Sequence, residues 1–157
     1  FQHMQSEGFS PDTMTFILIL KTCASTGAID KGQEIYNEIL SRDLLAKNVV
    51  LGTAIVDMYA RCGALEKAQE VFEHLPLRNI VPWNSLMAGY AQLGQANTVF
   101  YLYRRMRIEG IFPNSVTFIV LLNACSHADL EEVTLFNEMC VYFLSFLIFI
   151  SEDTSII

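Results

Sequence analysis

The chain writes one phrase twice. "MQSEGFSPDTMTFILIL" begins at Met4 and "MRIEGIFPNSVTFIVLL" begins at Met106; both run Glu-Gly, Pro, Asp or Asn, then Thr-Phe-Ile ahead of an apolar stretch. Matched positions lie 102 residues apart, Gly8 from Gly110 and Pro11 from Pro113. The interval between them is itself periodic. Gly27, Gly63 and Gly94 each close an apolar stretch, at spacings of 36 and 31, and a further 35 completes the 102. On that register "GTAIVDMYARCG" (52–63) lies over "WNSLMAGYAQLG" (83–94), so Tyr59 meets Tyr90 and Ala60 meets Ala91. Downstream, Gly32, Ala68 and Val99 align, then Tyr36, Phe72 and Tyr103, then Ile39, Leu75 and Met106. A period of this length marks a repeat architecture, in which each unit buries its apolar surface against its neighbours.

Each unit reads as two helices. Leu51, Ala54, Ile55, Met58, Tyr59 and Cys62 follow the i, i+3, i+4 rule, and so do Leu65, Ala68, Val71, Phe72 and Leu75. Gly63 suits the left-handed backbone at the end of the first helix. Pro76 stops the second, and Pro82 falls in the first turn of the next helix, where a missing N–H costs nothing. Neither helix can bury its stripe alone. Stacking such pairs buries both, so the expected fold is all-α, an α-solenoid of helix-turn-helix repeats.

Composition limits what such a solenoid can do. With 10 basic and 17 acidic side chains and a formal charge of −7, the chain does not favour broad electrostatic capture of nucleic acid. Its longest apolar run, "CVYFLSFLIFI" from Cys140, is shorter than the roughly 18 residues of a membrane span, so no membrane is expected as a partner. The four cysteines form no CxxC pair and read as free thiols of a reducing compartment. The chain opens on Phe1 without a basic, apolar or Arg/Ser-rich leader, which fits a removed targeting segment or a piece of a longer protein.

The cycle of 36, 31 and 35 departs from the fixed 34 of tetratricopeptide repeats. It resembles the pentatricopeptide repeat family of plants, in the subclass that alternates long, short and ordinary repeats. "VLGTAIVDMYARCGALEKAQEVFEHLPLRN" is similar to a short repeat and "IVPWNSLMAGYAQLGQANTVFYLYRRMRIEGIFPN" to an ordinary one. "TMTFILILKTCASTGAIDKGQEIYNEIL" and "SVTFIVLLNACSHADLEE" are similar to long ones. The resemblance implies a right-handed solenoid. Its expected units are 1–12, the end of an upstream ordinary repeat; 13–48, long; 49–79, short; 80–114, ordinary; 115–139, a degenerate long repeat; and 140–157, an apolar tail outside the family pattern.

The resemblance also implies single-stranded RNA as partner, with one base read per repeat. Its readers are a polar residue near the start of the first helix and the last residue of the repeat. These fall on Thr53 with Asn79, and on Asn84 with Asn114. Amides and hydroxyls suit the role because they donate and accept at a base edge. By the family's correspondence Thr with Asn favours adenine and Asn with Asn a pyrimidine, mainly cytosine, so the implied core is 5′-A-C-3′. Val50 and Val81, three residues before the first readers, would sandwich neighbouring bases. The long repeats place Ile17 and Ile119 at the first reader position, where little base choice is expected. Each residue has a plainer reading beside this one: Asn79 and Asn114 as loop residues bonding their own backbone, Thr53 and Asn84 as first-turn residues, Val50 and Val81 as packing.

Other features carry less. Trp83 aligns with Gly52 and Phe16 and reads as packing in preference to a stacking platform. Cys23 and Cys125 are repeat-equivalent small residues, and His3, His74 and His127 lack partners at metal-ligand spacing, so no metal and no cofactor is expected. Arg104, Arg105 and Arg107 form the one basic cluster and read as a solvated face before a phosphate contact. Zinc deaminases need H-x-E and C-x-x-C; His127-Ala128-Asp129 offers Asp for Glu and no CxxC follows, so no catalytic residue is expected. After "NACSHA" the expected Gly is missing, and "DLEEVTLFNEM" runs about two residues short of its counterpart at 28–39.

The resemblance therefore implies sequence-specific RNA recognition serving C-to-U editing or another RNA-processing step. The chemistry would be done elsewhere, for editing by a deaminase supplied in trans. The expected location is an organelle, the mitochondrion with the chloroplast as alternative. The competing class is a helical scaffold that binds a protein, which the low positive charge also suits.

Overall fold

The computed structural model describes residues 10–45, residues 48–126 and Val141. The opening expected to close an upstream repeat lies outside the described residues up to 9. So do the degenerate repeat beyond Ser126 and, Val141 apart, the apolar tail, and with them His3, His127 and Cys140. The described residues form seven helices: α1 Thr13–Thr26, α2 Ile29–Ser41, α3 Val49–Arg61, α4 Leu65–His74, α5 Ile80–Gln92, α6 Ala96–Ile108 and α7 Ser115–Ser126. None of these residues is in a strand, and the architecture is all-α.

Local chemistry sets each helix end. α1, α3, α5 and α7 start at 13, 49, 80 and 115, and the preceding residue is each time an Asp or Asn whose carboxylate or amide oxygen accepts an orphan N–H of the first turn. Asp12 accepts from Thr15 N–H at 2.8 Å, Asn48 from Leu51 at 3.1 Å, Asn79 from Val81 at 3.0 Å and Asn114 from Thr117 at 3.1 Å. Hydrogen bonds from the Thr15 hydroxyl and N–H hold the Asp12 carboxyl below its ordinary range. At the other end Gly63 has φ of 76°; its N–H reaches Ala60 O and the Ala64 N–H reaches Tyr59 O, the paired bonds of a Schellman motif. Gly94 repeats the arrangement with Ala91 and Tyr90. These motifs turn the chain sharply into each second helix.

The helices stack in two layers. α1, α3, α5 and α7 pack on one another in succession, whereas each second helix packs on its own partner and on the next first helix. The second helices make no comparable contact among themselves, so the first helices form the tighter, inner layer of the curve. Close approach within that layer needs small residues. Gly89 in α5 stands where α3 has Met58, and a Cβ there would lie 2.5 Å from a Leu65 methyl and 3.3 Å from the Ala60 carbonyl.

The two-layer arrangement corrects the expected stripe of α3. Gly52, Thr53, Val56 and Ala60 are buried as well, while Ala54 and Cys62 are only partly buried. An inner helix is covered on both flanks and behind, and no single i, i+3, i+4 stripe describes it. The outer helix α4 has one covered face, and Leu65, Ala68, Val71, Phe72 and the following Leu75 are all buried. Trp83 is fully buried, edge-on to Phe72 with ring centroids 4.6 Å apart, so it packs in the core. Two equivalent polar links tie successive pairs: Tyr59 donates to Gln33 Oε1 at 2.9 Å, and Tyr90 donates to Gln69 Oε1 at 2.6 Å. Burial pushes the Tyr59 hydroxyl up to about 12, which keeps it a proton donor.

Candidate functional site

The N-terminal turns of the inner helices share one exposed edge. Met14, Val50, Val81 and Val116 occupy the second position of α1, α3, α5 and α7, and they are 60%, 62%, 49% and 49% exposed. In the same layer Phe16, Leu51, Leu86 and Leu121 are all but fully buried, so this exposure is a property of the position and not of loose packing. The same exposed apolar position thus recurs once per repeat along this layer. The resemblance to the family singled out Val50 and Val81, with packing as their plainer reading. It did not single out Met14 and Val116, although they follow from the same intervals of 36 and 35.

Beside the row stand the polar residues. Thr53 is 9% exposed, and its hydroxyl donates to Val49 O at 2.9 Å, leaving the oxygen as an acceptor. Asn79 is exposed and spends its Oδ1 on the Val81 N–H, leaving its amide N–H groups. Asn84 is 7% exposed, and its Nδ2 donates to Asn114 Oδ1 at 3.1 Å. The structure thus joins Asn84 and Asn114 directly, 30 residues apart in sequence, and adds a residue that sequence reasoning did not single out. Buried Thr117 donates its hydroxyl to Asn84 Oδ1 at 2.8 Å and accepts the Asn114 N–H at 3.1 Å. The available signal was its place three residues after Asn114, the reciprocal partner in a capping box. Of the two aliphatic residues at the first reader position, Ile17 is buried and Ile119 is exposed.

The plainer readings hold in part: Asn79 and Asn114 are caps, and Thr53 bonds its own helix. Capping takes only the oxygen of an amide, so both asparagines keep donors to offer.

The basic cluster lies on α6, in the outer layer. Arg105 pairs with Glu73 on α4, with Nη2 2.7 Å from Oε2, and its Nε lies 3.1 Å from Glu109. Arg78 completes the group, 3.3 Å from Glu73 and 3.2 Å from Glu109. The Arg105 hydrogen bond holds the Glu73 carboxyl below its ordinary range. Arg105 also sits over the Trp83 ring at 5.6 Å and ties successive outer helices together, while Arg104 and Arg107 are exposed. Among the described residues no group of His, Cys, Asp and Glu is placed to hold a metal ion, and no helix is long and apolar enough to cross a membrane.

Fold and edge together define a class, a helical-repeat solenoid with a polar and apolar row along its inner layer. Residues 78–127 match the PPR repeat family and residues 53–80 match the PPR repeat. Two pentatricopeptide repeat-containing proteins of Arabidopsis thaliana, one named as mitochondrial and one as chloroplastic, are 36% and 38% identical over 83% and 78% of this chain. The chain belongs to the pentatricopeptide repeat family. It spans 14% of the length of each of these two relatives. Among solved structures, the pentatricopeptide repeat protein PPR10 from maize superposes with a TM-score of 0.76 at 24% identity, covering 92% of this chain and 21% of that one. PPR10 in complex with an 18-nt psaJ RNA element gives 0.78 at 23% identity, covering 92% and 22%. That likeness is one of fold, and the described architecture is an α-solenoid.

Proposed function

We propose that this chain is a binding segment without chemistry of its own, and that its inner edge takes single-stranded RNA, one base per repeat. The observation that carries the reading is the pattern of donors and acceptors left over at the two reader pairs. Thr53 offers an acceptor and Asn79 offers N–H donors. That combination fits adenine, whose Watson–Crick edge has an amino donor beside a ring-nitrogen acceptor. Asn114 has its oxygen occupied by the Thr117 N–H and by Asn84 Nδ2, so it offers N–H groups, and Asn84 keeps one more. Donors together fit cytosine, whose O2 and N3 are adjacent acceptors. With Val50 and Val81 gripping the flat faces, the preferred core is 5′-A-C-3′. Stacking of this kind contributes on the order of 1–3 kcal/mol per base.

The repeats are assigned as 13–48, 49–79 and 80–114, with 115–139 a degenerate fourth, in the subclass of alternating lengths. Relatives named for the mitochondrion and for the chloroplast support an organellar setting, which we assign to the mitochondrion before the chloroplast. Within it the segment would direct C-to-U editing, with a deaminase supplied in trans, or a related processing step.

The test is a titration of the whole chain against short RNAs that vary only the two core bases. Wild type should prefer A-C, and Thr53→Asn should move the first preference from A towards C. Equal binding to every pair, unmoved by the substitution, would instead favour the protein-binding scaffold.

A further inference from the structure

We propose that Thr117, which belongs to the helix after the reader pair, is the positioning residue that makes the Asn84–Asn114 pair choose cytosine over uracil. The inference rests on the RNA reading above and deepens it. Its starting point is a backbone atom. The Thr117 N–H can only donate, so the group 3.1 Å from it must be the oxygen of Asn114. The group of Asn84 that faces this oxygen at 3.1 Å must then be its nitrogen, which turns Asn84 Oδ1 towards the Thr117 hydroxyl at 2.8 Å. That hydroxyl has one proton. Its oxygen receives the Asn114 N–H at 3.1 Å, and its proton has two acceptors in reach: Asn114 Oδ1 at 3.1 Å, already taken by the Thr117 N–H and Asn84 Nδ2, and Asn84 Oδ1 at the shorter 2.8 Å, to which it goes. The main-chain donor thus orients the Asn114 amide and the Thr117 hydroxyl holds Asn84 Oδ1 inward, and Thr117 is fully buried, so water does not substitute for it.

The neighbouring pair lacks the device. Pro82 stands at the third position of α5, with neither an N–H nor a hydroxyl, and Asn79 caps Val81 from an exposed position. Asn79 is held at one atom, whereas Asn114 is held at its backbone and its side chain and locks Asn84 with it.

The consequence is selective. In the intact ring Asn84 Oδ1 is committed inward, and the pair presents N–H groups that match the two adjacent acceptors of cytosine. Uracil places an N3–H donor between its two acceptors and finds no acceptor opposite. Without the Thr117 hydroxyl nothing holds Asn84 Oδ1 inward, and the side chain is free to turn that oxygen towards the uracil N3–H. Cytosine binding then changes little while uracil binding rises.

The experiment titrates the whole chain and its Thr117→Val, Thr117→Ala and Thr117→Ser variants against two RNAs, identical except for C or U opposite the pair. Helical circular dichroism selects the variants that retain the fold, and Ala serves where Val does not. Wild type and Thr117→Ser should hold the same preference for C, and the variant without a hydroxyl should lose about fivefold of it, the factor worth about one hydrogen bond. A folded hydroxyl-free variant that keeps the wild-type ratio overturns the role of Thr117 and leaves the RNA reading intact. A Thr117→Ser chain that loses the ratio overturns it as well. Wild type that binds both RNAs equally overturns this inference and leaves a pyrimidine reading, whereas wild type that binds neither overturns the RNA reading and this inference with it.

Discussion

Asn79 and Asn114 hold equivalent places, each one residue before an inner helix, yet they are not energetically equivalent. Asn79 is exposed and makes one capping bond. Asn114 makes a capping bond, accepts from Asn84 and receives support at its own N–H from Thr117. Replacing either by Ala removes a cap, a loss of about 1 kcal/mol. At 114 it also strands the Asn84 amide in a site only 7% exposed, which adds about 1–3 kcal/mol. Urea unfolding of the two variants should therefore show Asn114→Ala to be the more destabilised, and equal midpoints would remove the case for a coupled ring. The residue types at both positions were legible in the sequence. Their coupling was not, because the partners Asn84 and Thr117 come from helices that the stacking alone brings together.

Among the elements, the first and second helices of each pair answer to different rules. The outer helices show the single stripe that periodicity predicts, and α4 buries every residue of it. The inner helices α3 and α5 are covered on three sides, and what limits them is the distance to the next inner helix. At Gly89 of α5 a Cβ would sit 2.5 Å from a Leu65 methyl and 3.3 Å from both the Cβ and the carbonyl of Ala60 on α3. An added methyl helps the isolated helix by roughly 1 kcal/mol. It also forces apart two packed backbones at a cost of about 1–3 kcal/mol. Packing should win, so Gly89→Ala should lower the thermal midpoint even though alanine is the better helix former. A raised midpoint would mean that the inner layer yields more easily than its contacts indicate. The sequence showed a glycine inside a helix here; that it faces a carbonyl on the neighbouring inner helix is a fact of stacking.

For the molecule as a whole, charge and shape divide the work between the layers. Arg78 and Arg105 are engaged with Glu73 and Glu109 in the outer layer, while the proposed inner edge offers amides, a hydroxyl and apolar side chains. A chain of net charge −7 that binds RNA through such an edge releases few counterions. The slope of log affinity against log salt should be shallower than about −1.5, the value for roughly two neutralised phosphates on a single strand. A slope several times steeper would move the contact to a basic surface and away from the inner edge.

Repetition decides the class of fold at the level of sequence. The intervals of 36, 31 and 35, the left-handed glycines and the capping Asp and Asn residues are local signals, and local signals survive in a linear reading. That is why the helix ends and the solenoid could be read from residues alone, whereas Thr53, Asn79, Asn84 and Asn114 were singled out only by the resemblance to the family. Tertiary structure decided what those residues have left to offer. Whether an amide shows its oxygen or its nitrogen depends on which partner reaches it across 30 residues of chain, and burial on three sides depends on neighbours two helices away. Periodicity locates a side chain, but only packing determines which of its atoms are already spent.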